Sequence, residues 1–316
     1  MTDQFVENER IKFVAPTEER KIPWLARGWH VQAMRVVFRV LCAFAPAIAA
    51  RLVDRLWFTP PKGTVRPDAQ EFLRNADEAL SFKVNGRALS AWSWGQGPVV
   101  ILMHGWGGSA GQFRSFVEPL VRAGFRAVAF DAPAHGASDA ARSGDSRATF
   151  FEFSHALQEV DRALGPSVGL IAHSGGCTAA SLAVRDGWCA PQRMVFIAPF
   201  VLPNAYMAPF GRALAISPAV MAGFRARAQN RLGRPLSDFD MHGLAPIACK
   251  SPLLLVHDRG DYEVPISDSF DLSAAWRRSI FMETTGLGHR RILHDGAVVD
   301  RTVAFFTDPL PVEVPL

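Results

Sequence analysis

Ser174 stands in Ala172-His173-Ser174-Gly175-Gly176, after the apolar run Val168–Ala172 and before a helix-compatible stretch over 175–185. A serine on such a sharp strand-to-helix turn has its hydroxyl aimed out of the sheet, where it can act as a nucleophile. The turn needs small residues two before and two after the serine, because the strand and helix backbones pass closely there. A five-residue pattern of this kind recurs by chance, so residues elsewhere in the chain must carry the reading. Upstream, Val99–Met103 leads into His104-Gly105-Trp106-Gly107-Gly108, a glycine-rich loop able to aim a backbone N–H at a developing oxyanion. The N–H groups of Trp106 and Gly175 would complete a two-donor hole. Downstream, Gly286-Leu287-Gly288-His289 puts a histidine at a strand's C-terminal end, the edge where open α/β sheets build their sites. The acid that orients it belongs after the preceding run, Leu253–Val256, where Asp258, Asp261 and Glu263 compete. Spacing alone does not choose among them. Cys177 lies three residues past Ser174, but the matching neighbours surround the serine.

These residues need a sheet to hold them. From Ser81 onward, SFKV and RALSAWSW flank Asn85-Gly86, a dipeptide that supplies two φ > 0 residues for a tight hairpin. Apolar runs at Val99–Met103, Ala127–Phe130, Val168–Ala172, Met194–Ala198, Leu253–Val256 and Ile280–Met282 then alternate with helical stretches. Continuous apolar runs suit parallel strands covered on both faces. The expectation is an α/β fold: a doubly wound, mostly parallel sheet opened by a hairpin. About 50 residues separate the runs near 198 and 253, longer than an ordinary βα connection. Tyr206, Met207, Phe210, Met221 and Phe224, with Arg212, Arg225, Arg227, Arg231 and Arg234, predict a helical cap inserted at about 200–248, over the site.

The chain divides on this reading into an N-terminal helical arm, 1–70, and a catalytic domain, 71–316. The turn-rich FTPPKGTVRPD at 58–68 ends the arm, and EFLRNADEAL at 71–80 reads as one short helix. Within the arm, Met34, Val37, Phe38, Leu41, Ala45 and Ile48 recur at helical spacing with Arg35 and Arg39 roughly opposite. That pattern fits an amphipathic arm packed on the catalytic core. A second reading gives residues 29–58 a peripheral membrane contact, with the arginines among lipid headgroups. The apolar stretch Val36–Ala50 is interrupted by Arg39 and Pro46 and is too short to span a bilayer.

A chain of 316 residues, 49% hydrophobic and 20% charged, can bury one large core plus a modest insertion and does not read as disordered. The net charge of +4 comes without a run of clustered Lys and Arg, so no nucleic-acid partner is expected. Four cysteines, Cys42, Cys177, Cys189 and Cys249, show no paired spacing. They predict reduced thiols in a cytoplasmic setting, and no His/Cys ligand spacing calls for a metal. The charged, polar start MTDQFVENERIKF is no secretory signal.

In order, HGWGG at 104–108, DAPAHGAS at 131–138, AHSGG at 172–176, DYEVP at 261–265 and GLGH at 286–289 resemble the α/β-hydrolase fold family, in its serine esterase, lipase and aminopeptidase-like group. The resemblance covers about Ser81 to Phe306. It implies that the aspartate followed by a short segment ending Val-Pro is the acid, which selects Asp261 and keeps Asp258 in reserve. It leaves Asp131 and His135 structural, and His104 and His173 as supports of the loop and the elbow. Ala172 and Ala134 stand where glycine is usual, and Gly175 where a bulkier residue is common, a change expected to loosen the elbow slightly. The implied activity is cofactor-free hydrolysis of a small acyl substrate by Ser174, His289 and Asp261. A carboxylic ester is the default, with thioester, amide and peptide open, and a non-catalytic binding protein on the same scaffold as the competing class. Serine at the elbow argues against the aspartyl-ester chemistry of dehalogenases and epoxide hydrolases. The apolar cap suggests an acyl chain, and its arginines an anionic substrate.

Overall fold

A computed structural model describes residues 28–61, 66–139, 146–241 and 251–308. Cys249, the first 27 residues of the expected arm, and the last part of the expected cap lie outside them. Eight strands form one sheet: β1 (Glu78–Val84), β2 (Arg87–Trp94), β3 (Val99–Met103), β4 (Arg126–Phe130), β5 (Gly169–His173), β6 (Arg193–Ile197), β7 (Leu253–Asp258) and β8 (Ser279–Thr284). Their order across the sheet is β1-β2-β4-β3-β5-β6-β7-β8. The β1–β2 hairpin turns at Asn85 and Gly86, both at positive φ (51° and 79°), and pairs antiparallel onto β4. From β4 to β8 every neighbouring pair is parallel.

The central strands are apolar at every position because both faces are covered. Alternate side chains separate into two cores. Ile101, Met103, Leu170, Ala172 and Phe196 pack with α5 (Phe150–Leu164) and α6 (Gly175–Arg185) on one face. Val100, Leu102, Ile171, Val195 and Val256 pack on the other face with the helices at Arg114–Arg122 and Gly296–Thr307. Register aligns the C-terminal ends: Met103 lies opposite Ala172, His173 opposite Ile197, and Asp258 opposite Thr284. The loops that follow β3, β5, β7 and β8 therefore meet at one edge.

The segment 71–80 is not one helix. The helix α3 runs Pro67–Arg74, and Glu78 already pairs with Ser93 of β2. Pro67 starts the helix early, since a proline in the first turn forfeits no intrahelical bond. Asp77 breaks the pattern by accepting the Gly95 N–H at 2.7 Å.

Two helices, α1 (Trp29–Phe44) and α2 (Pro46–Phe58), meet at Ala45, with Pro46 in the first turn of α2. Between β6 and β7 lie α7 (Met207–Ala213) and α8 (Pro218–Leu232). These four helices share a third core: Val31, Phe38, Ala49, Val53 and Phe58 against Met207, Phe210, Leu214, Val220 and Phe224. Burying Phe210 and Phe224 there removes them from any substrate surface, contrary to the expectation that an apolar cap would receive an acyl chain. The arm's expected stripe is corrected too. Phe38 is buried and Met34 and Leu41 half-buried, but Val37 and Ile48 face out. Arg35 turns inward, donating to the Ala213 carbonyl at 2.7 Å.

Candidate active site

Ser174 is at φ 53°, ψ −121°, a conformation an L side chain holds only when its surroundings impose it. Three close approaches impose it. A methyl group on Gly105 would lie 2.8 Å from the Ser174 Cβ, and one on Gly176 would lie 2.7 Å from the carbonyl oxygens of Met103 and His104. A methyl on Gly175 would lie 2.6 Å from the Phe150 ring. Gly175 therefore does not leave the elbow loose; Phe150 occupies the space a side chain would fill. Beneath the turn, the Cys177 thiol is buried and donates to the Ala172 carbonyl at 3.3 Å. Burial pushes that thiol well above its usual range, so it is an inert packing group.

His289 follows β8 and Asp261 follows β7, and the edge brings both to Ser174. His289 Nε2 lies 3.0 Å from Ser174 Oγ, and its Nδ1 lies 2.7 Å from Asp261 Oδ2. With Nδ1–H donating to the carboxylate, Nε2 is left to accept the serine proton. Asp261 is fully buried. Burial opposes its charge, but hydrogen bonds from His257 and His289 and the nearby His289 ring hold its pKa well below the carboxylate range. Its Oδ1 accepts the N–H groups of Glu263 and Val264 at 2.8 and 3.0 Å. Asp258 does something else. Its Oδ1 accepts the Gly260 N–H at 2.9 Å, and its Oδ2 accepts the Thr284 hydroxyl and the Leu287 N–H at 2.8 and 2.9 Å. It ties the β7 loop to the loop that carries His289. Glu263 is paired with Arg290 at 3.3 Å.

The loop after β3 is held by two neutral histidines. His104 donates from Nδ1 to the Gly105 carbonyl and accepts the Ala132 N–H at Nε2, at 2.7 and 2.9 Å. His135 accepts the Gly107 N–H at 2.9 Å and donates to the Pro133 carbonyl at 3.0 Å. Burial lowers His104 to about 4 and His135 to about 3, which keeps an acceptor nitrogen on each ring. Asp131 accepts the N–H groups of Ala110 and Ala137, and burial raises it to about 6. Among the described residues neither the Trp106 N–H nor the Gly175 N–H has an acceptor. A methyl on Gly175 would come within 3.4 Å of the Trp106 nitrogen, so the two donors stand close together beside the elbow. Gly175 opens α6, where N–H groups have no intrahelical partner.

His257, which no sequence motif singled out, completes the frame. Buried on β7, it lies between Ser269 Oγ (2.6 Å) and Asp261 Oδ2 (3.3 Å), against the same carboxylate oxygen that His289 contacts. His173 donates from Nε2 to the His289 carbonyl at 2.9 Å. Burial and the His289 ring hold His173 well below its usual value. Trp106, Phe150, Phe200 and Tyr206 form a chain of ring contacts around the elbow, with centroids 4.7–6.1 Å apart. Among the described residues no group of three or more His, Cys, Asp or Glu side chains is arranged to hold a metal ion.

Residues 98–263, more than half of the chain, match the model of the alpha/beta hydrolase fold family. The chain belongs to that family. Solved structures of similar fold include an esterase from Exiguobacterium antarcticum (15% identity, TM-score 0.56, 73% of this chain and 100% of that one). A monoacylglycerol lipase from Paleococcus ferrophilus is also similar (22%, TM-score 0.54, 69% and 98%), as is a bromoperoxidase from Bacillus anthracis (17%, TM-score 0.55, 72% and 99%). A comparison with curated protein sequences returned no significant match. At these identities the likeness establishes the fold of this α/β hydrolase and leaves its reaction to the residues.

Proposed function

We propose that this α/β hydrolase is a serine hydrolase that cleaves a carboxylic ester through an acyl-enzyme intermediate. The observation that carries the reading is the hydrogen-bonded series Ser174 Oγ, His289 Nε2 and Nδ1, Asp261 Oδ2, at 3.0 and 2.7 Å. Ser174 Oγ attacks the carbonyl carbon while its proton passes to His289 Nε2, and Asp261 stabilises the imidazolium. The tetrahedral oxyanion is received by the N–H groups of Trp106 and Gly175; each such donor contributes on the order of 3 kcal/mol of transition-state stabilisation. His289 returns the proton to the departing alkoxide. It then takes one from water, whose hydroxide releases the acid and restores the serine.

The half-buried aromatic rings of Trp106, Phe150 and Phe200 favour an apolar group beside the scissile bond. An apolar wall offers the carbonyl's substituent burial worth about 25 cal/mol per Å² and no ion partner. The test is a series of p-nitrophenyl esters of rising acyl length with wild type and Ser174→Ala, together with fluorophosphonate labelling. Wild-type turnover that falls at least ~10⁴-fold in the variant is expected, with labelling confined to Ser174. Folded wild type that neither turns over an ester nor takes the label would overturn the proposal and favour a binding role on this scaffold.

A further inference from the structure

Helix α1 has a second apolar face that no described residue covers. On α1, Trp29, Ala33, Val36, Val37, Val40 and Phe44 recur at i, i+4, i+7, i+8, i+11 and i+15. They fall in one stripe roughly 100° wide, opposite the side that buries Val31 and Phe38. Trp29 and Phe44 are 84% and 85% exposed, and Val36, Val37 and Val40 about half exposed. With Ile48 these are six of the nine large hydrophobic side chains that stand exposed among the described residues. An exposed apolar patch of this concentration marks an interaction surface.

Charge says which surface. Residues 28–61 and 200–234 contain nine arginines and a single acid, Asp54. That acid is buried, held by Arg147 and Arg231 at 2.9 and 2.7 Å. Of the chain's 34 Lys and Arg and 30 Asp and Glu, these ranges thus hold nine and one, and the rest of the molecule is net −4. On α2, Ile48, Arg51 and Arg55 recur at i, i+3 and i+7, all exposed, and Arg39 flanks the stripe on α1. A basic rim around an exposed apolar ridge is complementary to anionic headgroups over acyl chains. A second copy of the chain would set like charge against like. No helix among the described residues is long and apolar enough to cross a membrane, so contact with lipid would be made along the surface.

We propose that the outer face of α1 and the start of α2 dock on an anionic lipid bilayer, with Trp29, Val40 and Phe44 among the acyl chains and Arg39, Arg51 and Arg55 at the headgroups. The inference stands apart from the acyl-transfer reading, since docking is measured without turnover. The full chain is sedimented with vesicles of phosphatidylcholine and phosphatidylglycerol, about three to one, and with phosphatidylcholine alone. Binding to the mixed vesicles is expected, about fivefold weaker for each arginine replaced in Arg51→Gln and Arg55→Gln. Val40→Ser with Phe44→Ser should abolish it while leaving the circular dichroism spectrum unchanged, because neither side chain enters the core. No sedimentation with mixed vesicles, or equal binding by the serine variant, overturns the proposal. So does a wild-type dimer that the serine variant dissolves, which would assign the stripe to a second copy.

Discussion

Asp258 and Asp261 show how neighbours decide what a carboxylate does. Asp258 ends β7 and Asp261 follows three residues on in the loop; both side chains are buried, and only Asp261 reaches His289. In Asp261→Asn the amide oxygen takes the Glu263 and Val264 N–H groups, so the NH₂ faces His289 Nδ1. Nδ1 must then accept, Nε2 carries the proton, and the base toward Ser174 is lost. Ester turnover should fall on the order of 10⁴-fold. Asp258→Asn cannot accept at both ends and should cost about 1–3 kcal/mol of stability, with turnover of the folded fraction within tenfold of wild type. The pair separates the two roles by kinetics and urea denaturation. Asp261 also sets a pH dependence. Its folded pKa is depressed, so its contribution is present above the unfolded value near 4 and is lost as pH falls below it. Acid destabilisation should be shallower in Asp261→Asn. Ser174 and His289 were legible because each sits in a local motif at a strand end. His173 was read only as a support of the elbow, since its partner lies 116 residues away, and His257 was not read at all, because no local pattern announces it.

At the scale of elements, the apolar runs located all six parallel strands, because coverage on both faces leaves a continuous signal. Helix faces were harder. The arm's sequence merges two apolar stripes, one turned to α8 and one outward, into a single periodic pattern, and only packing separates them. Asp54 is the pin of that packing. It joins α2 to α8 through Arg231 and to the segment before α5 through Arg147. Asp54→Ala leaves two guanidinium groups facing each other with no counter-charge. Breaking a fully buried pair costs about 3–5 kcal/mol; both arginines are partly exposed, so a loss of about 2 kcal/mol is expected. Thermal unfolding should begin in the helical unit, and limited proteolysis should cut near residues 59–66 before the sheet is lost.

Across the whole molecule, the fold segregates what the linear sequence disperses. Arginines that form no run along the chain collect on the four helices of the arm and the insertion, and the sheet domain is left acidic. No window of residues reveals this, because the two segments lie some 140 residues apart and come together only in the folded chain, through the third core and the Asp54–Arg231 pair. The sheet domain in turn hides a reporter of its own integrity. The Cys177 sulfur is sealed beneath the nucleophile's turn, while Cys189 is exposed. A maleimide should therefore consume Cys189 at once and Cys177 only when α6 lifts from the sheet. The slow phase of alkylation, followed by mass spectrometry, then clocks how often the elbow opens. A phosphonate adduct on Ser174 should lengthen that clock, and an unchanged rate would mean that the elbow opens independently of what the serine carries.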